Sequence, residues 1–430
     1  MPSETERIGL ALSGGGYRAT AFHLGTLKKL HDLNILEKID VMSTISGGSI
    51  TGAYYCAEQG NFDAFYAELY SALQTKDVVK KVLFSWLGLR LLIFILVLIF
   101  SLYWLFTPFA WLFPVILVLL FFIVLRYQFM LLPISKRIEQ VYDQFFYHKK
   151  KLAELPEKPK LIIGSTNLQT ARPFSFSRST MWDTSYGSKA NPMFKNDGFP
   201  LSRAVMASSC VPFAFTPVTI AKEYFRNPAD AEKIHPLLVD GGVYDNQGIH
   251  KIMQDNRDLN IIITSDAGGG SKGEITTKNT FTLLTETVNV FMARIKKSQM
   301  VTDVYDNADT FKKEIAYFSL AWDMENCIPG FIDNLEKKQI TEAVITAQRL
   351  KEDWVSHPRK YAIEIEDHLK KNVNYDSIQK PSPEEKKIAR GVGTNLTALK
   401  KEEVDCLIKQ ALALTEIQVK LYCPSLFRNH

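Results

Sequence analysis

From Leu91 to Leu125 the chain runs for 35 consecutive residues without one charged side chain. They read LLIFILVLIFSLYWLF, then Thr-Pro, then FAWLFPVILVLLFFIVL. A bilayer core of about 30 Å asks for about 20 helical residues. With its left edge extended to Leu83, the first segment has 24 residues and is interrupted only by Arg90. The second, Phe109 to Leu125, has 17 residues and contains Pro114. At 1.5 Å per residue it reaches only about 25 Å. It spans if it draws on Tyr127, Phe129 and Met130 while Arg126 snorkels. Thr107-Pro108 supplies the turn, because proline ends a helix and restricts the residue before it. The alternative is a buried core hairpin of a soluble protein. Trp86, Tyr103, Trp104, Trp111 and Tyr127, spread near both possible interfaces, favour the membrane. The expectation is an inserted transmembrane or re-entrant helical hairpin over residues 83–133.

Lys76, Lys80 and Lys81 precede this hairpin, and Lys136, Arg137 and Lys149 to Lys151 follow it. Positive flanks at both ends place both on the cytoplasmic side. The N-terminal MPSETERIGLALSGGG lacks the charged start and apolar run of a signal peptide, so the chain is expected to begin in the cytosol. The basic helix from Lys136 to Lys151 would lie near anionic lipid, at about 1 kcal/mol per well-placed charge.

Outside the hairpin, buried strands alternate with helices. IGLALSG is followed by a helix from about Tyr17 to Leu33, and IDVMSTI by one from about Gly48 to Gln59. SKRIEQVYDQFFYHKKKL reads as an amphipathic helix, and strands follow at KLIIGSTNL, HPLLVDGG and NIIITSDAGG. The last hundred residues are charged and helical, with a break from Asn372 to Glu385. This pattern predicts an α/β fold with a mainly parallel sheet flanked by helices. One domain, split into residues 1–82 and 134–430, would carry the hairpin as an insertion.

A net charge of +5, with no basic stripe interleaved with aromatics, argues against nucleic-acid binding. The five cysteines are scattered and form neither a CxxC pair nor a Cys/His cluster. Reduced thiols are expected, with no metal and no cofactor.

Three motifs carry chemistry. Ser13-Gly14-Gly15-Gly16-Tyr17-Arg18 follows a strand and opens a helix. Consecutive glycines allow positive φ and aim several N–H groups at one point, which suits a phosphate or a developing oxyanion. Gly14, Gly16 and Ala19 also fit the G-x-G-x-x-A of a dinucleotide turn, but the second strand ends in Ser43, Thr44 and Ser46 instead of an acid. Thr44-Ile45-Ser46-Gly47-Gly48 is similar to a nucleophile elbow, with Thr44 where the pattern has glycine. Its plainer reading is an N-capping serine. In Val239-Asp240-Gly241-Gly242 an apolar strand ends in a carboxylate, which reads alternatively as an Asp-Gly turn. Asp266, after NIIITS, reads as a structural carboxylate, and His235 and His250 as surface or capping histidines.

The order of these motifs resembles that of the patatin-like phospholipases, relatives of the cytosolic phospholipase A2 catalytic domain. Asn167-Leu168-Gln169-Thr170 with Arg172-Pro173-Phe174, and AVMASSCVPFAFTP from Ala204 to Pro217, resemble further family segments, and Thr394 to Ala411 gives a weaker echo. The likeness covers roughly residues 7–80 and 155–270. It implies a Ser-Asp dyad, with Ser46 as nucleophile and Asp240 as base. It also implies an oxyanion hole from the amides of Gly14, Gly15 and Gly16, assisted by Gly47, with Arg18 as the arginine that follows the glycine run. Arg18 would pair with a headgroup phosphate or brace the glycine loop. The implied activity is phospholipase A or lysophospholipase cleavage of ester bonds in membrane phospholipid. A catalytically weak lipid-binding protein on the same fold, and a Ser-His-Asp esterase using His250, are the alternatives. Ser46 precedes the hairpin and Asp240 follows it, so one dyad requires an even number of membrane crossings between them.

Overall fold

The computed structural model describes residues 7–58, 61–187, 193–255, 258–269, 279–300, 302, 304 and 313–427. β1 (Ile8–Leu12) and β2 (Ile39–Ile45) lie at the centre of a nine-stranded sheet and are almost wholly buried. Continuous apolar strands of this kind need helices on both faces. β1 leads into α1 (Gly16–Asp32), and β2 into α2 (Gly47–Ala57) and α3 (Phe62–Thr75). The other strands are β3 (Lys160–Asn167), β4 (Arg172–Phe176), β5 (Met181–Trp182), β6 (Val218–Thr219), β7 (Leu237–Asp240), β8 (Ile261–Asp266) and β9 (Glu314–Ser319).

The main path runs β5-β4-β3-β2-β1-β8-β9, with β7 pairing with β3 and β6. β3, β2, β1, β8 and β9 pair in parallel, whereas β4, β5, β6 and β7 join through antiparallel pairs. The sheet is therefore mixed: its five-stranded core is parallel, and the antiparallel strands are an addition that the expectation of a mainly parallel sheet did not contain. The antiparallel part is made of short strands, two of them of two residues, and close turns suffice to join antiparallel neighbours. So short a strand leaves no readable periodicity.

Register brings two strand ends together. β2 pairs with β3 up to Ile45↔Gly164, and β7 pairs with it at Ser165↔Asp240. Residues 163–167 of β3 use their other edge for β4. β2 and β7 therefore lie head to head along one edge of β3, and Ser46 and Asp240 meet where they converge.

Between α3 and β3 the chain forms α4 (Val78–Leu83), α5 (Trp86–Ser101), α6 (Leu112–Leu131) and α7 (Ile134–Tyr142). α5 is capped by Ser85 and continues as a 3-10 turn to Phe106. Pro114 falls in the first turn of α6, where its missing N–H costs no helical bond. Ser101 is the only buried residue in α5, and α6 has none. At the base, the Arg90 guanidinium donates to the Leu131 carbonyl (3.3 Å), so the start of α5 and the end of α6 lie side by side. Thr216 ties that base to the segment before β6: its hydroxyl donates to the Leu132 carbonyl (3.1 Å) and accepts from the Ile134 N–H (3.2 Å).

Candidate active site

Ser46 occupies the sharp junction between β2 and α2 at φ 50° and ψ −116°, a conformation L-residues rarely adopt. Its N–H donates to the Ser208 hydroxyl (2.9 Å), and Ser208 also bonds Ser49 (2.9 Å). Ser208 ends α8 (Leu201–Ser208), the helix inside the AVMASSC run. Nothing local in that run marks Ser208, because the partnership spans 162 residues of chain.

Thr44 departs from the elbow pattern, and the structure shows how it is accommodated. Its hydroxyl accepts from Ser49 (3.0 Å), and its methyl faces Gly52 on α2. A Cβ added at Gly52 would lie 2.6 Å from Thr44 Cγ2. The close approach usually allowed by a glycine before the serine is here allowed by one six residues after it.

The glycine run wraps the elbow. Gly15 and Gly16 have φ of 142° and 59°. A side chain at Gly47 would collide with the Gly16 carbonyl, and one at Gly14 would lie 3.2 Å from Ser46 Cβ. Gly14 N–H donates to the Asn246 carbonyl (2.9 Å). Of the four glycine amides expected to serve an oxyanion, this one is engaged within the protein. Gly16 and Gly47 open helices and Gly15 caps one, positions whose N–H groups find no partner within their own helix. Asn395 closes the loop from behind, its carbonyl accepting from Tyr17 N–H (2.9 Å).

Arg18 donates through Nη1 to the Val392 carbonyl (3.3 Å). The guanidinium lies against Gly15 and Gly269, where added Cβ atoms would each come within 3.3 Å of it.

Asp240 is buried, and the ends of β7 and β2 bring it beside buried Ser46. Its Oδ1 accepts from the Gly242 N–H (2.7 Å). Burial raises its pKa from 3.8 to about 6, opposed by the hydrogen bonds from Gly242 and Ser46. Its own N–H donates to the Cys210 carbonyl (2.7 Å). Asp240 reaches the carboxyl end of the parallel strands by arriving on an antiparallel one. That β7 ends at Asp240 was legible in the sequence, but its direction was not.

Two other groups are placed by their partners. His250 sits near the start of the helix Ile249–Asp255, its N–H donating to Asp245 (3.0 Å) and its ring edge-on to Tyr244. Asp266, fully buried, ion-pairs with Lys296 and accepts from the hydroxyl of Tyr317 (2.9 Å) and the N–H of Gly268 (2.9 Å).

The patatin-like phospholipase family matches residues 10–252, more than half of the chain. The chain belongs to the patatin-like phospholipase family. No curated protein matches it. Similar solved structures include human GIVD cytosolic phospholipase A2 in complex with methyl γ-linolenyl fluorophosphonate, at 14% identity and a TM-score of 0.48, covering 99% of this chain and 59% of that one. VipD from Legionella pneumophila is similar at 13% identity and a TM-score of 0.33, covering 90% of this chain and 83% of that one. This patatin-like chain thus spans about three fifths of the length of the human enzyme.

Proposed function

We propose that the chain is a membrane-anchored serine acyl hydrolase that cleaves phospholipid or lysophospholipid ester bonds with Ser46 and Asp240. The observation that carries this reading is the convergence of a strained strand-end serine and a buried strand-end carboxylate whose pKa burial raises to about 6. A carboxylate of ordinary acidity is a poor acceptor for a serine proton, and burial corrects this. Asp240 takes the Ser46 proton as Oγ attacks the ester carbonyl, and the developing oxyanion meets the amides of Gly15, Gly16 and Gly47. Collapse expels the alcohol, which takes the proton from Asp240. Asp240 then deprotonates a water that attacks the acyl-serine, and it returns that proton to Ser46 Oγ as the fatty acid leaves.

The anchor rests on exposure. Trp86–Phe106 and Leu112–Tyr147 are long and apolar enough to cross a bilayer, and only 6% and 0% of their most apolar windows are buried in the protein. A core hairpin would be covered. At about 1.5 Å per residue, the 21 residues of the first make about 30 Å. Residues 83–133 then form an insertion in a split hydrolase domain, 1–82 and 134–430, that stands on the cytoplasmic side. The Arg90–Leu131 bond at the hairpin's base fits two crossings.

The test is labelling by a fluorophosphonate together with lipid analysis in wild type and Ser46→Ala. Adduct formation at Ser46 and loss of lipid hydrolysis in the variant are expected. An active, correctly inserted Ser46→Ala protein would end the dyad reading.

A further inference from the structure

α9 (Gly242–Asp245) and α10 (Ile249–Asp255) follow β7, and after β8 comes α11 (Thr280–Gln299), which lies over the loop that carries Asp240. On its inner side, Met292 Cε stands where a Cβ on Gly242 would come within 2.9 Å, and Lys296 pairs with buried Asp266. Among the described residues nothing covers its outer side. Leu283, Leu284, Val290 and Phe291 are 53%, 48%, 63% and 59% exposed. With Thr287 they fall three or four residues apart, so they form one stripe. The stripe ends in exposed Arg294 and Lys297, and no acidic residue of α11 is exposed.

A stripe of large apolar side chains ending in basic residues is expensive in water and matches an interfacial helix on anionic lipid. Position agrees with composition. The hairpin leaves the domain at the end of the sheet where the site opens: Val78 N–H at the start of α4 donates to the Leu396 carbonyl (3.1 Å), beside the Asn395 that closes the glycine loop. α11 stands at that same end, over Asp240. We propose that α11 is a second membrane contact, lying flat on the lipid surface with Leu283, Leu284, Val290 and Phe291 inserted and Arg294 and Lys297 at the headgroups. It would hold the mouth of the site against the bilayer, a task the hairpin alone cannot perform because it fixes only one edge of the domain. This inference rests on the membrane-anchored reading above, and its test separates the two.

The five native cysteines are all buried, so a cysteine introduced at the surface takes an environment-sensitive fluorophore selectively. Full-length Phe106→Cys, Phe291→Cys and Glu352→Cys proteins, labelled with NBD, are reconstituted in vesicles of phosphatidylcholine and phosphatidylglycerol. Expected are a blue shift and a several-fold rise in emission at positions 106 and 291, both quenched by brominated lipid, with position 352 unchanged. A response at 106 with none at 291 overturns the inference and leaves the anchor standing. Silence at 106 removes the anchor, and the signal at 291 then decides α11 by itself. A shift at 291 that brominated lipid does not quench and that grows with the protein-to-lipid ratio means a second copy of the chain covers the stripe, which also overturns the inference.

Discussion

Two buried aspartates stand at strand ends in this sheet, and they have opposite chemistry. Asp240 ends β7 and Asp266 ends β8. Both are fully or almost fully buried, so desolvation raises the pKa of each. For Asp240 the opposing partners are neutral, a backbone N–H and the Ser46 side chain, and the pKa settles at about 6. For Asp266 burial is outweighed by the Lys296 ammonium, with further hydrogen bonds from Gly268 and Tyr317, and the pKa falls below its ordinary 3.8. Burial alone therefore does not make a base. The deciding factor is whether a cation shares the cavity.

The comparison breaks first on Asp240→Asn. Asn keeps the shape and the acceptor for Gly242 N–H, but takes no proton from Ser46. Activity is expected to fall at least about a thousandfold, the upper part of the range for a lost general base. Assay of phospholipid hydrolysis against wild type checks this. A loss below about tenfold would mean that another group takes the proton.

Asp266→Asn should do the reverse. It leaves Lys296 without its partner at a buried site, for which about 3 kcal/mol of lost stability is the expected scale. Part of that is recovered because Lys296, a quarter exposed, can turn toward water. Thermal unfolding measures the loss, and activity assayed below the transition should stay within a few-fold of wild type.

What the sequence disclosed follows the same division. Ser46, the glycine run and Asp240 were legible because strand-to-helix junctions and Asp-Gly-Gly leave local signatures. The cation at Lys296 lies 30 residues beyond Asp266 on another helix, and nothing local announces it. Ser208, Asn246 and Asn395 were hidden for the same reason, each reaching the site through tertiary packing. Thr44 read as a defect because the compensating Gly52 follows on the next helix. The parallel core was legible from its long apolar strands, while short β5 and β6, which help make the sheet mixed, were not. The two apolar helices, Trp86–Ser101 and Leu112–Leu131, fall in the charge-free run, which needs no tertiary information to be recognised.

A third expectation concerns stability and again sets the two carboxylates apart. The folded state holds the Asp240 proton more tightly than the unfolded chain does, so wild type is favoured while Asp240 is protonated. That contribution is present below about pH 4 and is lost as pH rises through about 6. The gap from 3.8 to about 6 corresponds to about 3 kcal/mol. Asp240→Asn cannot ionise. It should exceed wild type in stability by about 3 kcal/mol at pH 8, and the advantage should nearly vanish by pH 4. Asp266→Asn has the opposite sign, because a carboxylate held low stabilises the fold at high pH and ceases to as pH falls through its folded pKa. Unfolding of both variants at pH 4 and pH 8 resolves the contrast. A parallel response of the two would refute it.

The smallest effect is the most selective. With Asp240 required in its ionised form, kcat/KM of wild type should fall about tenfold per pH unit below an acid limb near 6. The shift of Asp240 comes from burial, with only Gly242 and Ser46 opposing it, and Asp266 is not among its causes. The limb in Asp266→Asn should therefore stay at about 6, even though that protein is less stable. If the limb moved toward 4, the negative charge of Asp266 would be part of what makes Asp240 a base. The two strand ends would then work as one electrostatic unit, and their contrast would be a coupling between them. A limb that stays in place leaves Asp240 set by its own cavity, and Lys296 as the neutraliser that keeps Asp266 out of the chemistry.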